Sequence, residues 1–121
     1  QNLPTEIPLM GSRPQLGDLE ELVLLAVLRL GEEAYGAAIR EELKARADRA
    51  PTISTIYVTL MRMEDKGYVA SRMGEPTRER GGKAKRYFRM EAEGMKALET
   101  ARRIRERMWE GLTDRANAHV R

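Results

Sequence analysis

The sequence predicts a mainly α fold with a β-hairpin (α+β): three helices in succession, a hairpin, and a long C-terminal helix. Three observations carry that prediction. Four stretches of helical length hold recurrent apolar residues. One stretch instead alternates on either side of Gly81-Gly82, as the two arms of a hairpin do. Gly31, Pro51 and Gly67 fall between these stretches, where turns and helix stops belong.

Residues 1–16 read as an N-terminal arm outside the core, because Pro4, Pro8, Pro14 and Gly11 interrupt every period; Met10 is a candidate natural start. The first helix spans Asp18 to Leu30. Asp18, Glu20 and Glu21 complement the dipole at its N-terminus, Asp18 with Glu21 resembles a capping box, and Gly31 supplies the stop. Leu22 to Leu28 is unbroken apolar sequence, which covers nearly every face and calls for burial on more than one side. The second helix runs from about Gly36 to Ala47, with Ile39 and Leu43 inward and Arg40, Glu41, Lys44 and Arg46 outward.

The third helix reads from Ser54 to Lys66, with Thr52 or Ser54 as its N-cap. Ile53, Ile56, Leu60 and Met63 fall on one face. Ser54, Thr55, Val58, Met61, Arg62 and Asp65 fall on the other, and Tyr57 and Thr59 lie on the flanks. Tyr68–Met73 and Lys83–Met90 read as the two strands of the hairpin. The last helix spans about Glu91 to Ala118. Leu98, Ala101, Ile104 or Arg105, Met108 and Leu112 recur at three- and four-residue gaps, an interrupted coiled-coil-like seam with charged flanks. A helix of that length cannot bury itself against one hairpin, so it calls for a second copy of the chain. The expected organisation is thus an arm (1–16), a helical and hairpin domain (17–90) and a C-terminal dimerisation helix (91–121).

Composition limits the function classes. The chain has 121 residues, 41% of them hydrophobic and 34% charged, which suits one ordinary soluble domain. It has no cysteine, which removes disulfide frameworks and Cys-rich zinc sites and fits a reducing compartment; the expected location is the cytoplasm. His119 is the single histidine, near the C-terminus, and no metal or other cofactor is expected. No apolar run is long enough to span a membrane. Net charge is only +3, but Ser71 to Arg89 holds seven basic residues against two acidic ones. That local +5 points to a polyanion partner, the alternative being a solvated loop.

Two consecutive helices joined by a short turn, then a basic hairpin, form a helix-turn-helix with a wing. The major groove of DNA, about 12 Å wide, admits one such helix. Small residues at its start permit close approach: Ser54 and Thr55 can bond bases or phosphates, Val58 can meet a thymine methyl, and Arg62 can reach guanine or the backbone. Tyr57 can donate its hydroxyl to a phosphate. Each feature also has a bland explanation. Hydroxyl residues start most helices, a tyrosine can cover a core edge, and Arg62 can pair with Asp65 on a solvated face. Their order and spacing together favour the functional account.

Three stretches then resemble PadR-type transcriptional regulators. The first comprises Leu19-Glu20-Glu21-Leu22-Val23-Leu24-Leu25-Ala26-Val27-Leu28 and Ala34-Tyr35-Gly36-Ala37-Ala38-Ile39. The second runs from Ile53-Ser54-Thr55-Ile56-Tyr57 through Leu60 to Gly67-Tyr68-Val69. The third is the wing, Gly74-Glu75-Pro76 with Arg80-Gly81-Gly82-Lys83-Ala84-Lys85-Arg86-Tyr87-Phe88-Arg89, followed by Glu93-Gly94. The resemblance covers roughly Leu16 to Ala101. It implies a winged-helix repressor that binds a pseudo-palindromic operator of double-stranded DNA as a homodimer. By resemblance, DNA contact falls to Ser54, Thr55, Tyr57, Thr59, Arg62, Arg80, Lys83, Lys85 and Arg86. Dimerisation falls to Leu22, Leu25, Leu98, Ala101, Ile104, Met108 and Leu112. Some members are released by flat aromatic small molecules. Trp109 is the candidate to stack on such an effector, although packing against the partner's first helix is the simpler role for it.

The sequence departs from the family where Met90-Glu91 replaces the usual Leu-Thr before the last helix, since glutamate is a poorer cap. Two other functions compete with the DNA-binding regulator. A winged-helix protein–protein interaction module would bind DNA without sequence preference. An enzyme would need a placed nucleophile–base pair or phosphate loop; Glu32-Glu33 and Glu41-Glu42 are adjacent pairs whose side chains diverge, so they form no dyad.

Overall fold

The structure, a computed structural model, describes residues 16–75 and 84–119. Its elements follow the predicted order: α1 (Asp18–Leu30), α2 (Gly36–Ala47), α3 (Ile53–Asp65), β1 (Val69–Met73), β2 (Arg86–Met90), α4 (Ala92–Trp109) and α5 (Leu112–His119). Residues 1–15 of the expected arm and the wing tip with Arg78, Arg80, Gly81-Gly82 and Lys83 lie outside the described residues, whereas Leu16, the last residue of that arm, is described and packs against the core. Among the described residues, no helix is long and apolar enough to cross a membrane.

The apolar run of α1 is the centre of the core. Val23, Leu24, Ala26 and Val27 are buried, against Ile39 and Leu43 of α2 and Ile56, Leu60 and Met63 of α3. Burying each of the larger side chains contributes about 1.5–3 kcal/mol. Val69, Phe88, Ala97 and Leu98 close the core from the hairpin and the start of α4. Leu25 and Leu28 stay on the outside, 40% and 45% exposed, so one side of α1 is not covered within the chain.

The cap of α1 sits one residue earlier than the Asp18–Glu21 reading. Gly17 is the N-cap, and Glu20 reaches back so that Oε1 accepts from its N–H at 2.9 Å. Glycine offers no side chain in return, so only this half of the box exists. In α3 the cap is Thr52, whose Oγ1 accepts from the Thr55 N–H at 3.1 Å. The turn between α2 and α3 is held by Arg40, whose Nε donates to the Pro51 carbonyl at 2.7 Å. Asp48 ends α2 in the left-handed region at φ 57°, a conformation that Asp tolerates better than most residues.

The hairpin is antiparallel, registering Val69 with Met90, Ser71 with Phe88 and Met73 with Arg86. A short bridge adds a third line of backbone. Tyr35 pairs with Tyr87, and the Phe88 N–H donates to the Ala34 carbonyl at 2.8 Å. The segment between α1 and α2 therefore fixes the base of the wing, a contact that periodicity does not reveal.

The long C-terminal helix is present but stops earlier than the seam implied. It ends at Trp109, and Gly111 takes φ +70°, a left-handed conformation that glycine adopts without a Cβ clash. Leu112 then belongs to a separate helix, α5, and not to a continuous seam. At the other end Glu91 is the N-cap without a side-chain cap bond; its carboxylate pairs instead with Arg89 at 3.1 Å.

Candidate nucleic-acid interface

The exposed side of α3 is set by its cap and its inward face. With Ile56, Leu60 and Met63 in the core, Ser54, Val58 and Arg62 line up outward at four-residue intervals. Ser54 and Thr55 are exposed in the first turn, and Val58 is 57% exposed. The Thr55 hydroxyl accepts from Thr52 Oγ1 at 3.0 Å and stays at the surface.

Tyr57 is half-buried, with its ring over the start of α2 and tilted against Phe88 at 6.4 Å. A groove of about 590 Å³ runs beside it, between the first turn of α3, the start of α2 and the wing root. Tyr35, Ile53, Tyr57, Met73, Lys85 and Arg86 are among its walls. Two positions differ from the expected pattern. Thr59 is 2% exposed and donates its hydroxyl to the Thr55 carbonyl at 2.8 Å. That side chain is consumed inside the helix and does not reach a DNA face. Ile53, expected in the core, is 40% exposed because it is the first residue of α3 and lies at the groove edge.

Two basic residues at the wing root are held by specific partners. Lys85 Nζ sits 4.0 Å from the centre of the Tyr35 ring. That ring meets Tyr87 edge-on at 5.6 Å, and Arg72 lies over the other ring at 4.7 Å. Arg86 donates from Nε to Ser71 Oγ at 3.1 Å and from Nη2 to Glu64 Oε1 at 3.3 Å, while Ser71 donates to Glu64 Oε2 at 2.8 Å. Glu64 belongs to α3, so this network ties the wing to that helix. Arg62 is paired too, but with Glu20 of α1 and not with Asp65: Nε to Oε2 is 3.0 Å. Sequence reasoning missed Glu20, Glu64 and Ser71 as partners, because each lies on a different element from the arginine that it holds.

The side chains expected to meet a second copy are divided. Leu25, Ile104 and Met108 are 40%, 46% and 71% exposed, and Leu22, Ala101 and Leu112 are half-buried. Leu98 is 6% exposed within its own chain, since the first turns of α4 pack on α1 and the hairpin; its expected place in an interface is corrected to the core. Arg105 bonds Glu21 at 3.1 Å across to α1, and Arg102 pairs with Glu106 at 2.9 Å along α4. Those pairs account for part of the arginine crowding and leave Ile104 and Met108 uncovered. Trp109, at the end of α4, is 71% exposed.

Comparison with known proteins agrees with this architecture. A model of the transcriptional regulator PadR-like family matches residues 24–100. A transcriptional regulator from Clostridium thermocellum superposes with TM-score 0.60 at 24% identity, covering 85% of this chain and 93% of that one. A PadR family regulator from Eggerthella lenta superposes with TM-score 0.56 at 29% identity over 84% of each chain. One from Clostridium difficile gives TM-score 0.57 at 22% identity, covering 82% of this chain and 95% of that one. A search of curated protein sequences found no significant match. With its winged helix-turn-helix and long C-terminal helix, the chain belongs to the PadR-like family of transcriptional regulators, and is a DNA-binding regulator, not an enzyme.

Proposed function

We propose that the chain acts as a homodimeric repressor that binds a pseudo-palindromic operator. The observation that carries this reading is the outward line Ser54, Val58 and Arg62 on α3, flanked by the groove with Tyr57 and the cationic wing root. A helix with that face fits the major groove. The adjoining groove suits a sugar–phosphate strand, with Tyr57 and Lys85 as donors. Ser54, Thr55, Tyr57, Arg62 and Lys85 are the contacts proposed within the described residues. Arg86 contributes charge from its anchored position, and Arg80 and Lys83, outside the described residues, are proposed as further contacts from the sequence resemblance alone.

Dimerisation supplies the second half-site. Leu25 and Leu28 on α1, with Ile104 and Met108 on α4, are the apolar side chains that a second copy would cover. Two recognition helices about 34 Å apart would then read half-sites one helical turn apart. With only one compact domain described, occlusion of the promoter is the simplest mode of action. A flat aromatic effector, where one operates, would meet Trp109 near that interface and alter the helix separation.

Selection of bound sequences from a random duplex pool at near-physiological salt tests the reading. Enrichment of a motif with dyad symmetry is the expected result. A flat pool whose binding vanishes steeply with salt would leave only non-specific attraction, and the protein–protein module would replace the operator-binding account.

A further inference from the structure

The outward line of α3 ends on an arginine that is already held. On a merely solvated helix face Arg62 would take the nearest acid, Asp65, three residues away. It crosses instead to α1, where Nε donates to Glu20 Oε2 at 3.0 Å. The other oxygen of Glu20 accepts the N-cap N–H of Gly17 at 2.9 Å, so the carboxylate is fixed at both ends. The Glu20 side chain is only 15% exposed, whereas that of Arg62 is 49% exposed. Glu20 thus sits behind the arginine as a support. Arginine has five N–H donors in a planar fork, and with Nε engaged the four on its terminal nitrogens are left for another acceptor.

We propose that Glu20 is a specificity-determining positioning residue, which fixes the plane of the Arg62 guanidinium so that its terminal nitrogens meet a base edge. The inference rests on the DNA-binding reading of α3 and deepens it. Bidentate recognition of guanine O6 and N7 needs a guanidinium of fixed orientation. An arginine frozen before binding loses less side-chain freedom on contact. An unsupported one settles on whichever phosphate is near, which adds affinity without discrimination. The carboxylate acts in a second way, since a negative charge close to the duplex weakens non-specific attraction. Both effects raise the ratio of operator to random binding.

The test uses the full chain and two duplexes of equal length and composition, the selected operator and its scrambled form. Affinities are measured for the wild type, Glu20→Ala, Glu20→Gln, Arg62→Ala and the double variant Glu20→Ala/Arg62→Ala, at several salt concentrations, with a melting temperature for each. The expected result for Glu20→Ala is a fall of about tenfold in the operator-to-scrambled ratio, concentrated at one base position. Binding to the scrambled duplex should be equal or tighter, and its salt slope should steepen by about one as Arg62 moves to a phosphate. Glu20→Gln should lie between, and the double variant should discriminate no worse than Arg62→Ala. Equal losses on both duplexes together with a lower melting temperature would mark Glu20 as a staple between α1 and α3 and overturn the inference. A wild-type preference that Glu20→Ala leaves intact overturns it alone. A wild type with no preference overturns the operator-binding reading and this inference with it.

Discussion

Gly36 lies directly beneath the ring of Tyr57: a Cβ on Gly36 would sit 2.8 Å from both Cε2 and Cζ of the tyrosine. The Tyr-Gly pair that opens α2 and the Ile-Tyr pair in α3 are therefore two halves of one contact. The absent side chain lets the phenol, hydroxyl included, lie over the start of α2, where Tyr57 lines the groove. Gly36→Ala should push the ring off that seat. Overpacking of this kind costs about 1–3 kcal/mol. Operator affinity should fall as well, because the Tyr57 hydroxyl is displaced. Thermal unfolding and anisotropy titration of the same sample check both, with Tyr57→Phe as the variant that loses the hydroxyl but keeps the packing.

Thr59 gives a sharper contrast. Its hydroxyl is spent on the Thr55 carbonyl inside α3. Thr59→Val should therefore leave operator affinity within about twofold of wild type. It should lower stability by about 0.5–1.5 kcal/mol, the usual net worth of one hydrogen bond. A large loss of affinity with unchanged melting would restore Thr59 to the DNA face.

Helical period was enough to locate α1, α2 and α3 to within a residue or so, because their apolar residues repeat and their stops are Gly or Pro. It was not enough for Thr59, which stands about 65° from the Ile56–Leu60–Met63 line, at the edge of the core face, and spends its hydroxyl on its own helix. Nor did it find the end of α4, where Gly111 breaks a seam that apolar spacing alone would continue. Ion pairs were the least legible. Arg62 with Glu20 and Arg86 with Glu64 join residues 42 and 22 positions apart, and only the packing of elements brings them together.

The wing root should behave as a structural joint and not as a free cationic surface. Ser71 bridges Arg86 and Glu64, so Ser71→Ala leaves both without their shared partner. A destabilisation of about 1 kcal/mol is expected, with a fall in operator affinity as the hairpin loses its tie to α3. Lys85→Ala should instead weaken binding with little loss of stability, since a partly exposed cation over Tyr35 contributes about 0.5–1 kcal/mol. Parallel denaturant melts and binding curves separate the two outcomes.

The uncovered apolar side chains predict how the proposed dimer fails. Met108→Glu or Ile104→Glu should shift the chain towards monomer in sedimentation, because each puts a charge where a second copy would cover apolar surface. Both positions are exposed in the single chain, so the helical content of each variant should stay native. Trp109 is the sole tryptophan, and its emission should move to longer wavelength when the wild type is diluted through its dissociation constant. Unchanged emission across that range, with sedimentation showing dissociation, would place Trp109 outside the interface.

Glu20 also connects the fold to pH. Burial alone would raise its pKa, but the Gly17 N–H, the Arg62 guanidinium and the nearby charge of Lys66 outweigh it and hold the group below its ordinary 4.5. A carboxyl with a lowered folded-state pKa contributes stability above the unfolded-state value and loses it as pH falls through the folded one. Stability should therefore decline on acidification below about pH 4.5, as protonation releases Arg62. Glu20→Gln cannot titrate, so its deficit in melting temperature against the wild type should be full at pH 7 and shrink towards pH 3. A deficit that stays constant across this range would mean that it does not arise from the ionised state of the Glu20 carboxylate.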